Sequence, residues 1–284
     1  MGTHRYVVAD VFTDRPLSGN QLAVFLDGPA IRDEFLQPLA REMNFSETVY
    51  VYPSKEKSAD FSIRIFTPKE ELPFAGHPVL GTAFVLVRER GGASELRLKV
   101  KQGIIPVRLE RRGQDLDFGW MTQPVPSFRP YEDPDPLLNA IGVDRVSVPI
   151  DVYDNGVQHL FIGLDSEADV SGLVPDMSAL VRVVPEIGVN CFAGAGQRWK
   201  TRMFGPGLGV AEDPATGSAA GPLAVHLARY ERIAFDTEIE ISQGVELDRP
   251  STLYAKASGS ADRIERVEVG GSAVIVAQGE FRLP

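Results

Sequence analysis

The chain has 284 residues, of which 43% are hydrophobic and 24% charged, and its formal net charge is −10. This is an ordinary globular composition, and the acidic balance supplies no basic face for a nucleic acid. No apolar run approaches the ~18 residues of a membrane span. The N-terminus shows no signal-peptide core. The single cysteine, Cys191, allows no internal disulfide, which fits a reducing, cytoplasmic setting.

In chain order, residues 6–12 read as a strand, 13–20 as a turn-rich loop and 21–26 as a second strand. Ile31, Phe35, Leu36 and Leu39 recur at helical spacing and predict a helix over 31–43. Residues 48–52 and 61–66 are β-like, and 70–77 form a loop. Pro78 suits the first position of a helix running to about Arg90, which makes His77 the expected N-cap and Gly91-Gly92 the stop. Strands follow over 96–100, 104–110 and 116–119. Five prolines between 124 and 136 predict a linker, so the expected domains are 1–123 and 137–284. The second half repeats the style. It has strands near 157–163, 188–192 and 198–204, a helix after Ser218, and strands near 238–242, 251–257, 263–269 and 272–278.

The halves also match in detail. Arg64-Ile-Phe-Thr-Pro68 recurs as Arg202-Met-Phe-Gly-Pro206, 138 residues on. At an offset of 141, Gly76 falls on Gly217 and Gln102-Gly103 on Gln243-Gly244. Asn20-Gln-Leu22 sits 138 before Gln158-His-Leu160. A common offset near half the chain argues for two copies of one fold and against a short-repeat solenoid.

The stretch from Arg202 to Gly221 reads as strand, glycine-rich loop and helix start. It carries Glu212 and Asp213, then Thr216, Gly217 and Ser218. A helix N-terminus offers unpaired N–H groups and a positive dipole end, a natural seat for an anion. Gly76 and His77 occupy the equivalent start in the first half. Glu47 is either a solvated strand end or a general acid/base in a cleft; His77 either caps its helix or binds a ligand and moves a proton; Asp213 either starts a turn before Pro214 or belongs to a site. Two such helix starts facing one cleft would suit a small carboxylate-bearing ligand. Gly205, Gly207 and Gly209 lack dinucleotide spacing. Histidines 4, 77, 159 and 226 show no metal-ligand spacing. Arg64 and Arg202 read as structural, pairing with nearby carboxylates.

These segments resemble the phenazine-biosynthesis PhzF-like isomerase family. The likeness rests on Phe45-Ser-Glu-Thr48, Arg64-Ile-Phe-Thr-Pro68, Phe74-Ala-Gly-His-Pro-Val-Leu-Gly81, Glu212-Asp-Pro-Ala-Thr-Gly-Ser-Ala-Ala220 and Gln243-Gly244…Arg249-Pro-Ser251. The resemblance implies two pseudo-symmetric α+β domains, each a barrel-like, mostly antiparallel sheet around a central helix, as in diaminopimelate epimerase. It implies a cofactor-free, metal-free, homodimeric isomerase acting on a small carboxylate or amino-acid-like metabolite; the best-known family substrate is trans-2,3-dihydro-3-hydroxyanthranilate. By it, Glu47 corresponds to the acid/base, with His77 and Asp213 assisting and Gly76, Thr216, Gly217 and Ser218 holding substrate. A non-catalytic small-molecule binder that kept the same cleft is the alternative. A two-thiol racemase is excluded, because no second thiol exists. Gln21 and Asp248 depart from the family pattern, where proline and glycine are usual, and Asp248 is expected to alter its loop or the rim charge.

Overall fold

In the computed structural model, residues 2–91, 94–112 and 115–284 are described. The chain divides into two compact units, residues 1–122 with 270–284, and residues 123–269. The first contains β1 (Gly2–Val11), β2 (Asn20–Phe25), α1 (Asp33–Met43), β3 (Glu47–Pro53), β4 (Phe61–Phe66), β5 (Glu71–Leu72), α2 (Gly76–Arg90), β6 (Glu95–Val100), β7 (Gly103–Arg112) and β8 (Asp115–Gln123). The second contains β9 (Ser127–Pro130), α3 (Asp135–Ile141), β10 (Asp151–Asp154), β11 (Gln158–Gly163), α4 (Glu167–Ser171), α5 (Met177–Val183), β12 (Gly188–Ala195) and β13 (Arg198–Gly205). It continues with β14 (Val210–Asp213), α6 (Gly217–Arg229), β15 (Glu238–Gln243), β16 (Ser251–Gly259) and β17 (Ile264–Gly271). The last strand, β18 (Ala273–Leu283), returns to the first unit and pairs antiparallel with β1.

Each unit is a barrel-like, mostly antiparallel sheet around one central helix. In the first, β1 pairs β2, β2 runs parallel to β3, and β3–β4, β6–β7 and β7–β8 are antiparallel. The second repeats this, with β11 parallel to β12 and β12–β13 antiparallel. The strands of the proline-rich stretch belong to this scheme, because β9 pairs with β10. In α2 every residue from Gly76 to Val87 is buried, and in α6 every residue from Gly217 to Ala228. A helix buried all round is apolar all round, which is why α2 shows no amphipathic stripe. A Cβ added at Gly81 would lie 2.6 Å from a Val11 methyl and 2.7 Å from a Leu22 methyl, so the glycine lets β1 and β2 side chains pack directly on the helix there. Outer helices cover the far faces. Helix α1 packs on Phe25, Tyr50 and Phe66, and α3, α4 and α5 on Leu160, Ile162, Val189 and Cys191.

Two expectations at the helix ends change. The N-cap of α2 is Ala75, and His77 is the second helical residue, so its ring is free to face the barrel wall. Pro78 is third, where its missing N–H is still among those without an intrahelical partner. Gly91 is the C-cap; Gly92 lies outside the described residues.

The duplication is visible in the strand registers. Ile65 and Phe66 pair with Leu72 and Glu71, and Met203 and Phe204 pair with Asp213 and Glu212. Arg64 grips Glu71 with two hydrogen bonds of 2.8 Å, and Arg202 grips Glu212 with bonds of 2.8 and 2.9 Å. Each guanidinium also lies over the phenylalanine two residues on, at 5.1 Å and 4.9 Å. The arginines are therefore structural. The Asn20/Gln158 match is displaced by one residue. Leu22 faces α2, whereas it is Phe161, stacked on His226, that faces α6. Strand side chains alternate, and a one-residue slip inverts the face. The structural partner of Asn20 is thus His159.

The two arginine pairs differ in burial. The Arg202 and Glu212 side chains are 9% and 10% exposed, and Arg202 Nη1 also donates to the carbonyls of Ser171 and Leu173; the Arg64 and Glu71 side chains are each 34% exposed. Removing one partner of a buried pair strands a charge, whereas an exposed pair is worth little. In urea titrations Arg202→Ala is expected to lose about 3–5 kcal/mol and Arg64→Ala about 0.2–1 kcal/mol. Equal losses would contradict this ranking.

Candidate active site

In the first unit, β3 opens on Glu47, whose register partner on β2 is Leu22. Asn20, two residues before Leu22, faces the same helix, and its Nδ2 lies 3.2 Å from His77 Nδ1. An amide N–H can only donate, so Nδ1 accepts and the proton of the neutral ring sits on Nε2. His77 Nε2 lies 3.3 Å from Glu47 Oε2, with the two side chains 3% and 13% exposed. Glu47 is therefore a nearly enclosed carboxylate beside an imidazole N–H, not a solvated strand end. Gly76 begins α2 beside this pair and contributes one of the first-turn N–H groups.

In the second unit, Asp213 ends β14 and Thr216 is the N-cap of α6. Thr216 Oγ1 donates to Asp213 Oδ2 at 2.7 Å. Gln243, buried at the end of β15, clamps the loop from behind. Its Nε2 donates to the Asp213 carbonyl at 2.8 Å and to Thr216 Oγ1 at 2.9 Å, while its Oε1 accepts from the Thr216 N–H at 3.1 Å. Gly244 follows at φ +77°, where a Cβ would meet the Pro214 carbonyl oxygen at 2.5 Å. Asp248 sits at φ +56°. The left-handed region explains a usual glycine, and aspartate is among the few side chains that tolerate it. The loop accommodates this departure without a change of backbone conformation class.

The start of α6 has a second support. Pro222 has no N–H, so the Ser218 carbonyl four residues earlier loses its helical donor. Asn155 Nδ2 replaces it at 2.9 Å, and Gln123 Nε2 holds the neighbouring Gly217 carbonyl at 2.8 Å. Ser218 Oγ lies 2.9 Å from His159 Nε2. Burial pushes the His159 imidazole down to about 4, so it is neutral near pH 7. Burial likewise pushes the Cys191 thiol up to about 12, which leaves it protonated and useless as a base.

Seven site residues expected from the sequence therefore fall at two helix starts, Glu47, Gly76 and His77 in the first unit and Asp213, Thr216, Gly217 and Ser218 in the second. Sequence reasoning missed Asn20, Gln123, Asn155, His159, Asn190 and Gln243 as supports. Two positions show how the copies diverged. Glu47 lies opposite Leu22, and its counterpart opposite Phe161 is Asn190; the counterpart of Asp213 is Leu72. Among the described residues, no group of three or more His, Cys, Asp or Glu side chains is arranged to hold a metal ion, and no helix is long and apolar enough to cross a membrane.

The same architecture occurs in solved structures. A PhzF-family phenazine biosynthesis protein from Bacillus anthracis matches with a TM-score of 0.85 at 25% identity, over 100% of both chains. A hydroxyproline epimerase from Agrobacterium vitis, only 12% identical, shares the fold with a TM-score of 0.70 over 98% of this chain and 92% of that one. The fold is thus of the diaminopimelate-epimerase-like class, and the chain is an isomerase. The phenazine biosynthesis-like (PhzC-PhzF) family profile matches residues 9–279. A trans-2,3-dihydro-3-hydroxyanthranilate isomerase from Pseudomonas aeruginosa is 49% identical over 280 residues, covering 99% of this chain and 100% of that protein. The chain belongs to the phenazine biosynthesis-like family.

The substitute bond at Ser218 is testable. Asn155→Ala is expected to cost about 1–3 kcal/mol, the penalty of an orphaned buried carbonyl. In a Pro222→Ala background, where residue 222 regains its N–H, the cost should shrink. An undiminished loss would show that Asn155 acts otherwise.

Proposed function

We propose that the protein is a cofactor-independent isomerase of trans-2,3-dihydro-3-hydroxyanthranilate or a close analogue, with Glu47 as the acid/base. The observation that carries this reading is the enclosed Glu47 carboxylate 3.3 Å from His77 Nε2. A carbon acid requires a positioned base, and a carboxylate withdrawn from water is a stronger one than a solvated carboxylate. Glu47 takes a proton from one substrate carbon and returns one to another. The His77 N–H steadies the carboxylate before the first transfer and after the second, while between them Glu47 holds the proton as a neutral carboxyl group.

The start of α6 supplies the complementary chemistry. The Gly217 and Ser218 N–H groups and the Ser218 hydroxyl hold the substrate carboxylate, since a helix N-terminus favours an anion. Asp213, fixed by Thr216 and Gln243, receives a cationic or hydrogen-bond-donating group of the same molecule. The identity to the Pseudomonas enzyme supports the choice of substrate. A homodimer in the cytoplasm belongs to this proposal by the same likeness.

The test is NMR of trans-2,3-dihydro-3-hydroxyanthranilate in deuterated water. Wild type is expected to isomerise it with deuterium incorporation, and Glu47→Gln to be slower by roughly 10²–10⁴-fold. Full activity in Glu47→Gln would remove Glu47 from the chemistry. Binding by wild type with neither isomerisation nor exchange would make the protein a binder of that compound.

A further inference from the structure

His159 lies wholly buried on β11 and makes two polar contacts, with Ser218 Oγ at 2.9 Å through Nε2 and with Asn190 Nδ2 at 3.4 Å through Nδ1. The Asn190 amide is oriented by the carbonyls of Leu160 and Gly188, which lie 3.2 and 3.1 Å from Nδ2 and can only accept. The atom facing His159 Nδ1 is therefore an NH₂ nitrogen, which offers no lone pair to a ring N–H. A neutral imidazole carries one N–H, so that proton sits on Nε2 and points at Ser218. The serine oxygen then accepts, and its own proton is not consumed inside the protein. Ser218 Oγ makes no other hydrogen bond among the described residues.

The first unit follows the same rule with different side chains. Asn20, the structural counterpart of His159, donates to Nδ1 of His77, the second residue of α2, and leaves the proton on Nε2, which lies 3.3 Å from Glu47 Oε2. Ser218 is likewise the second residue of α6. In both copies a buried strand residue donates to the second helical residue, and so fixes which of its atoms keeps a proton to give.

Resting on the reading of α6 as the substrate seat, we propose that His159 is a positioning residue. It donates its Nε2 proton to Ser218 Oγ and thereby commits the serine hydroxyl to donate to the substrate carboxylate. Asn190 holds the ring in the required tautomer. Without His159 the hydroxyl loses the donor that fixes its rotation, and binding weakens while the proton transfers at Glu47 proceed.

The experiment compares steady-state kinetics on trans-2,3-dihydro-3-hydroxyanthranilate for wild type, Ser218→Ala, His159→Leu, the double variant and His159→Gln, which restores an amide donor. Ser218→Ala and His159→Leu are each expected to raise KM roughly tenfold, the worth of one hydrogen bond to a charged group, with kcat little changed. The double variant should be no worse than either single one, and His159→Gln should recover most of the loss. Additive losses, or an unchanged KM in His159→Leu, would overturn the proposal. An unchanged KM in Ser218→Ala would overturn both the substrate-seat reading and this one. A second measurement needs neither variants nor substrate. The ring ¹⁵N spectrum of the wild-type protein should show His159 protonated at Nε2 alone at neutral pH, and an Nδ1–H tautomer would refute the arrangement whatever the true substrate is.

Discussion

A helix that starts inside a barrel must satisfy its buried first turn without water, and the organisation of both units follows from that constraint. The interior of α2 and α6 needs only apolar side chains, but their first turns need partners for N–H and C=O groups that the helix cannot pair. In α6 the need is sharpened by Pro222, and Gln123 and Asn155 answer it from outside the helix. Those side chains hold carbonyls, while the Thr216 N–H goes to Gln243 and those of Ala219 and Ala220 to the Thr216 carbonyl, so on the proposed reading the ligand meets the Gly217 and Ser218 N–H groups. Under the proposed function, the packing problem and the binding site are the same piece of structure.

The duplicated copies share their scaffold and divide their chemistry. The Arg64–Glu71 and Arg202–Glu212 pairs keep the same bonds and the same stacking on phenylalanine, so the frame that aims β5 and β14 is common. The functional positions are not. One copy carries Glu47 where the other carries Asn190, and one carries Leu72 where the other carries Asp213. An amide cannot replace a carboxylate as a base, and a leucine cannot bind a polar group. On the proposed assignment the halves diverged into a proton-moving part and a holding part, whereas a racemase with two equivalent bases would keep matching groups in both. The lone buried Cys191, fixed in its protonated form, contributes nothing to such chemistry.

Much of this was legible in the chain. Strand alternation, the helix starts and the Arg-x-Phe repeat are local patterns that singled out Glu47, His77, Asp213 and Ser218 as candidates, and the family resemblance gave them their expected roles. The supports were not legible, for a physical reason. Asn155, Gln123 and Gln243 act through side-chain bonds to backbone atoms 27–94 residues away, and no local period reports such a bond. His159 was dismissed because it lacked metal-ligand spacing, and the match of Gln158 to Asn20 hid its role. That match aligned identical letters, while the pleat aligns faces, and the two differ by one residue. The departure at Asp248 looked like an altered loop because sequence shows the missing glycine but not the left-handed backbone that aspartate can also occupy.

The proposed mechanism separates a carboxylate that moves the proton from a helix start that holds the substrate. Calorimetric titration of Glu47→Gln with trans-2,3-dihydro-3-hydroxyanthranilate tests it most directly. Binding with an affinity close to that of wild type, and no slow heat from turnover, is the result expected. Loss of binding in Glu47→Gln would contradict the separation and make Glu47 part of the seat itself.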